Sequence, residues 1–448
     1  LSLWLMIETV DLLIRARWII PVAPANTTLE HQAVAVHDGR IVAVMPEHEA
    51  RERFSATHEV LLDRHVLMPG LVNLHCHAAM TLLRGLADDT PLMTWLQEHI
   101  WPAEAKHVSA EFVRDGTLLA CAEMLRGGIT CFNDMYFFPE AAGQAIAAAG
   151  MRAVIGIALL EFPTAYANDA DDYLAKGLAA RDALRGNPLL HFALAPHAPY
   201  TVSDRSFERV ATLAGELDIP IHVHIHETLA EIEESLAQYG MRPLERLRRL
   251  GLVTPNLIAV HAVHLEPNEI ALLASEGASV AHCPSSNLKL GSGIAPIKEM
   301  LAKGVNIGLG TDGAASNNRL DLLSEIRLAA LLAKGAASDA SVMSAYHSLH
   351  AATLGGAKAL GLDHEIGSIV AGKSADFCAV SFDDPILAPC YSPASHIVYV
   401  AGRENVSHVW VAGKMVLENH TLSGFMKKDL EKIASVWQTR ICPRATHA

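Results

Sequence analysis

Residues 66–77 read Val-Leu-Met-Pro-Gly-Leu-Val-Asn-Leu-His-Cys-His, an apolar run that ends on two histidines, His75 and His77, one residue apart. In an extended strand, side chains two positions apart point the same way and lie about 6–7 Å from each other, so both imidazoles can reach one divalent ion. A His-x-His pair can equally just line a strand face. The choice depends on what the rest of the chain places beside it.

Outward from this run, short β-rich apolar segments alternate with longer helical patterns from about residue 66 to 310, the mark of parallel βα units. Strands are expected at 66–75, 129–134, 152–158, 191–196, 219–224, 257–261, 278–282 and 305–310. Between them, helical patterns stop at Gly127-Gly128, Gly150 and Gly277, and one starts after Pro267, as helix punctuation requires. About eight such strands is the count of a closed (β/α)8 TIM-like barrel; a doubly wound open sheet is the alternative. The two ends differ. Short turn-bounded segments at 10–14, 32–37, 40–44, 376–380, 408–411 and 414–416 carry hairpin signals at Asp38-Gly39 and Ala412-Gly413. Neither end has enough strands alone. The expectation is therefore an α/β protein in which residues 1–62 and 365–448 build one small composite β-sandwich, with a terminal tail, around a metal-dependent barrel spanning 63–364.

The 448 residues are 51% hydrophobic, ample for a large core. Forty-nine acidic against 35 basic residues leave a formal charge of −14, which disfavours nucleic acid and anionic membranes as partners. Seven cysteines without a CxxC pair suit reduced thiols. No apolar run reaches membrane-helix length, and the apolar opening at residues 1–5 lacks a basic flank and soon meets Glu8 and Asp11, so no secretory signal is expected and the protein is read as cytoplasmic.

In a barrel enzyme, catalytic groups gather at the carboxyl ends of different strands. Here the first strand ends at His75 and His77, the fourth at His197, the fifth at His224 and Glu227, the sixth at His261 and the eighth at Asp312. Any one of these could be a satisfied core residue; several at one mouth form a site. On the fifth strand, His222, His224 and His226 share a face by period two, so each is a ligand candidate. Glu227 has the opposite parity, which requires the strand to end or twist before it. Three imidazoles and a carboxylate suit one Zn²⁺ per subunit, with Fe²⁺ or Mn²⁺ also fitting these ligand types. Such an ion makes water a nucleophile near neutral pH, leaving Glu227 and His261 to handle protons.

The stretches PGLVNLHCHAAMTLLRG, APHAPYTVS, HVHIHET, VHAVH and GTDGAASNN resemble the amidohydrolase superfamily and, more closely, its 5-methylthioadenosine/S-adenosylhomocysteine deaminases, over most of the chain. The resemblance implies His75, His77, His224 and Asp312 as metal ligands and Glu227, His261 and Asp312 as catalytic groups. It also implies hydrolytic loss of ammonia from C6 of an adenine nucleoside. The segment 91–104, PLMTWLQEHIWPAE, is similar to the family's substrate loop. By that resemblance Trp95 packs on the nucleoside or its tail, Glu104 accepts both ribose hydroxyls and His197 bonds a ring nitrogen; otherwise Trp95 and Trp101 are helix core and Glu104 a solvated charge. Arg152 is a cation to consider for a homocysteine carboxylate, or else a structural salt-bridging residue. An apolar loop with Trp95 and Trp101 suits a homo-oligomer.

Gly308-Leu-Gly-Thr-Asp-Gly313 satisfies GxGxxG but lacks the ribose-binding acid that a dinucleotide fold places at the end of a second strand. HExxH and PCxxC are absent, and Cys283 reads as a buried structural thiol. The rival activities are deamination of guanine, 8-oxoguanine, cytosine or a triazine. A non-catalytic binding subunit is the reading from another class, at odds with a full ligand set.

Overall fold

The computed structural model describes residues 7–442. Eight parallel strands form the central sheet in chain order: Leu71–Cys76, Ile129–Tyr136, Arg152–Leu159, Leu190–Pro196, Ile221–Ile225, Leu257–His261, Ser279–His282 and Asn306–Leu309. Helices follow most of them, including Ala110–Arg126, Pro139–Ala149, Ala170–Leu184, Asp204–Leu217 and Leu322–Ala337. The second and third strands are buried along their whole length, as strands covered on both faces must be.

The first and eighth strands meet at a seam closed by side chains as well as backbone. Asn73 donates to Thr311 Oγ1 at 2.8 Å and accepts from the Thr311 amide at 2.9 Å, and the Asp312 amide donates to the His75 carbonyl at 3.0 Å. The glycines of 308–313 make this approach possible. A Cβ on Gly308 would stand 2.4 Å from Leu74 Cδ2, and one on Gly310 2.9 Å from His75 Cβ. They serve barrel closure, which accounts for the pattern without a phosphate ligand.

The run 66–75, read from the sequence as one strand, is two. Phe54–Pro69 belongs to the other sheet, and the chain crosses to the barrel at Gly70, whose Cβ would overlap the Thr130 side chain. That other sheet runs, by hydrogen bonding, through Thr421–Leu422, Lys414–Glu418, Val406–Val411, Phe377–Ser381, Phe54–Pro69, Glu8–Ile19, Leu29–His37 and Arg40–Pro46. The N- and C-terminal pieces thus share one sheet. It folds over a common core, since Leu12, Ile14, Val34 and Val36 from one end pack with Phe377 and Trp410 from the other. The two hairpin tips touch: Gly39 is in the left-handed region, and a Cβ there would lie 2.6 Å from the Ala412 carbonyl.

The terminal tail is not free. Helix Lys427–Ile441 docks on the barrel helix Ala110–Arg126, where Trp437 meets Phe112 edge-on with ring centroids 5.2 Å apart and donates its indole N–H to Asp115 at 2.9 Å. Among the described residues, no helix is long and apolar enough to cross a membrane.

Candidate metal and catalytic site

The carboxyl ends of the barrel strands bring together residues that lie more than 200 positions apart in the chain. His75 Nε2 and His77 Nε2 stand 3.1 and 3.3 Å from Asp312 Oδ1, and His224 Nε2 is 3.2 Å from His75 Nε2. His75, His77 and His224 each offer a donor atom within mutual reach of one cation, as do His75, His261 and Asp312.

What aims these nitrogens is the partner on the other side of each ring. His77 Nδ1 meets the Met135 carbonyl at 2.6 Å, His224 Nδ1 the His197 carbonyl at 2.7 Å, and His75 Nδ1 the ring of His222 at 2.9 Å. A carbonyl partner fixes the tautomer with hydrogen on Nδ1, leaving the Nε2 lone pair free for a metal. The donor set therefore fits a cation such as zinc, and His75, His77, His224 and Asp312 are the residues that would hold it. Burial pushes the Asp312 carboxyl up, but hydrogen bonds to His75 and His77 outweigh it and hold the group well below its ordinary value. Its other oxygen accepts from Ser286 Oγ at 2.6 Å and Ser316 Oγ at 2.7 Å. The serines lie in the stretches after the seventh and eighth strands, where small polar residues beside a candidate ligand are the only sequence signal.

The fifth strand resolves the parity conflict. It ends at Ile225, and His226 takes φ +55°, a left-handed turn that swings Glu227 to the side of His224. The buried Glu231 carboxylate holds this corner by accepting from the His226 and Glu227 amides, each at 2.9 Å. Of the three histidines on this face, His224 joins the cluster, His222 backs His75, and His226 accepts from the Leu244 amide at 3.0 Å. His261 and Asp312 are also left-handed, at φ +69° and +60°; such backbone costs of order 1–3 kcal/mol and persists where surrounding structure imposes it.

Glu227 Oε2 lies 3.7 Å from His261 Nε2, and Ser292 Oγ donates to its Oε1 at 3.4 Å. Burial raises the Glu227 carboxyl above its ordinary value, only partly opposed by His261. His261 Nδ1 bonds the Asn287 side-chain oxygen at 2.8 Å, which turns Nε2 toward Glu227.

His77, His224, Glu227, His261 and Asp312 open on one cavity of about 510 Å³. His197, Trp95 and Glu104 line it. Burial lowers His197 to about 3, so its ring is neutral, and Nδ1 pairs with Thr201 Oγ1 at 2.9 Å. Glu104 accepts from the Tyr136 hydroxyl at 2.7 Å, a contact invisible in the sequence because Tyr136 sits two residues past the expected end of the second strand. Trp95 and Trp101 line the same cavity, so they do not supply the exposed apolar surface on which an oligomer was expected. Arg152 is at the opposite end of the barrel. It is buried and pairs with Asp376 at 2.9 and 3.1 Å, a structural role that removes it from substrate binding. Cys283 is a buried free thiol.

A parallel barrel with a histidine–carboxylate cluster at its mouth defines the class of metal-dependent hydrolases. The chain belongs to the amidohydrolase family, whose pattern matches residues 66–416. It is 46% identical over 433 residues to the 5-methylthioadenosine/S-adenosylhomocysteine deaminase of Teredinibacter turnerae, covering 97% of this chain and 98% of that protein. It is also similar to the crystal structure of an adenosine deaminase from Xanthomonas campestris with bound zinc, with a TM-score of 0.96, 50% identity, and 97% and 99% of the two chains covered. Atrazine chlorohydrolase TrzN from Arthrobacter aurescens TC1, complexed with zinc, superposes with a TM-score of 0.87 at 25% identity over 95% of this chain and 99% of that one.

Proposed function

We propose that this protein is a zinc-dependent deaminase of adenine nucleosides, taking 5′-methylthioadenosine and/or S-adenosylhomocysteine to the inosine analogue and ammonia. The observation that carries this reading is the meeting of the His75, His77, His224 and Asp312 donors with a protonatable Glu227 in a cavity that also presents Glu104.

Zinc held by those four residues supplies Lewis acidity that makes water nucleophilic near neutral pH. The chain's own groups do the rest. Glu227, kept protonated more readily by burial, gives its proton to ring N1 as the water oxygen adds to C6, relieving the negative charge that addition would leave on the ring. Asp312 accepts a water proton and His261 steadies the attacking water. The C6–N bond then breaks. Asp312 passes the proton it took from water to the departing amine, and the C6 hydroxyl returns its proton to Glu227 as the carbonyl forms, so Glu227 and Asp312 finish as they began. His197 bonds the purine, Trp95 packs on the nucleoside, and Glu104 accepts the ribose hydroxyls, a task for which a carboxylate has the acceptors.

A free base such as guanine or a triazine would leave the Glu104–Tyr136 pair without a ligand, so the nucleoside reading is favoured. Ammonia release from zinc-loaded protein, measured with adenine nucleosides, guanine, cytosine and a triazine, tests it. Turnover is expected with the nucleosides. Consumption of a free base with no adenine nucleoside accepted would overturn the proposal.

A further inference from the structure

The homocysteine tail of S-adenosylhomocysteine carries an ammonium and a carboxylate, whereas the methylthio tail carries neither. Among the described residues, no lysine or arginine lines the cavity. Its charged lining groups other than histidine are Glu104, Glu227 and Asp312, all carboxylates, and much of the remaining wall is apolar, including Leu92, Ile100, Trp101, Leu160 and Phe162. Three cations of the barrel and its loops are engaged elsewhere. Arg152 holds Asp376 beneath the barrel. Lys289, next to the lining residue Leu290, donates to Asp88 at 2.6 Å, to the Ala315 carbonyl at 3.1 Å and to the Asn318 side chain. Arg246 donates to the Pro199 and Val202 carbonyls and to Asp204.

On the reading of the site as an adenine nucleoside deaminase, we infer that the cavity selects a neutral 5′ substituent and discriminates against the zwitterionic amino-acid tail. Taking the tail's carboxylate out of water where no lysine or arginine lines the cavity to pair it is strongly unfavourable, while a thioether methyl gains from burial against Trp and Leu side chains. The selection acts on charge, not on length.

The test uses zinc-loaded protein and four nucleosides: adenosine, 5′-methylthioadenosine, S-adenosylhomocysteine, and 5′-butylthioadenosine, which has a homocysteine-length tail without its charges. The methylthio and butylthio compounds are expected to share similar kcat/KM, with S-adenosylhomocysteine lower by about 100-fold or more. Calorimetric dissociation constants of the Glu227→Gln variant for the same compounds should show the same order without depending on turnover. Methylthioadenosine and S-adenosylhomocysteine within tenfold of each other would overturn the inference while leaving the deaminase reading intact. A butylthio compound as poor as S-adenosylhomocysteine would also overturn it, by showing selection on length. Absence of deamination of all four would remove the functional reading and the inference with it.

Discussion

The hydroxyl of Tyr136, at the end of the second barrel strand, donates to Oε1 of Glu104 at 2.7 Å across the cavity wall. Burial raises the Glu104 carboxyl above its ordinary value, and the Tyr136 hydrogen bond pulls it back. The tyrosine thus orients a carboxylate proposed to accept the ribose hydroxyls. Tyr136→Phe is expected to raise KM for adenosine about tenfold, one lost hydrogen bond to a charged group being worth roughly 1.5–3 kcal/mol, with kcat changed less. An equal fall in kcat with KM unchanged would place Tyr136 in the chemistry.

Glu227 faces His261 and takes no place among the proposed metal donors. Glu227→Gln keeps the shape of the side chain and removes the proton donor. Zinc content by elemental analysis should match the parent protein, while kcat falls by about 10²–10⁴. Loss of zinc from this variant would contradict the division of roles.

Removal of the metal is expected to destabilise the fold as well as abolish activity, because a ligand bound only by the native state adds to its stability. At zinc about 100-fold above its dissociation constant the effect is about 2.7 kcal/mol, or roughly 3 °C in Tm for a chain of 448 residues unfolding together. Thermal unfolding with and without chelator measures it. An Asp312→Asn variant that still responded to zinc as the parent does would argue against Asp312 as a ligand.

His282, at the end of the seventh strand, is buried with both ring nitrogens unpartnered in the structure, and burial lowers it to about 3. Between that value and the ordinary 6.5 of an exposed ring, the unfolded chain binds a proton that the folded chain excludes. Stability therefore falls as pH drops through this window. His282→Phe should lose less stability than the parent between pH 7 and pH 5, read as urea midpoints on metal-free protein. Parallel losses would show that the ring is protonated in the fold.

Arg152 and Asp376 form a buried pair joining the barrel to the terminal sheet. Arg152→Met strands the carboxylate and is expected to cost about 3–5 kcal/mol, with the ratio of methylthioadenosine to S-adenosylhomocysteine turnover unchanged. A shift in that ratio would return Arg152 to substrate recognition.

The sequence by itself determined the barrel and the joining of the two termini and offered the candidate metal donors, because each depends on a local pattern: alternation of strands and helices, hairpin dipeptides, and histidines two apart at a strand end. What it could not decide was orientation. Whether His222, His224 or His226 enters the cluster turns on one left-handed residue at His226 and on Glu231, which holds that corner through backbone amides. The split at Gly70, the docking of Trp437 on Phe112, and the placing of Arg152 far from the cavity likewise come from contacts between segments remote in the chain. Periodicity reports which face a side chain takes within its own element. Only the packing of elements against one another decides which faces meet, and hence which charges stand unopposed in the cavity.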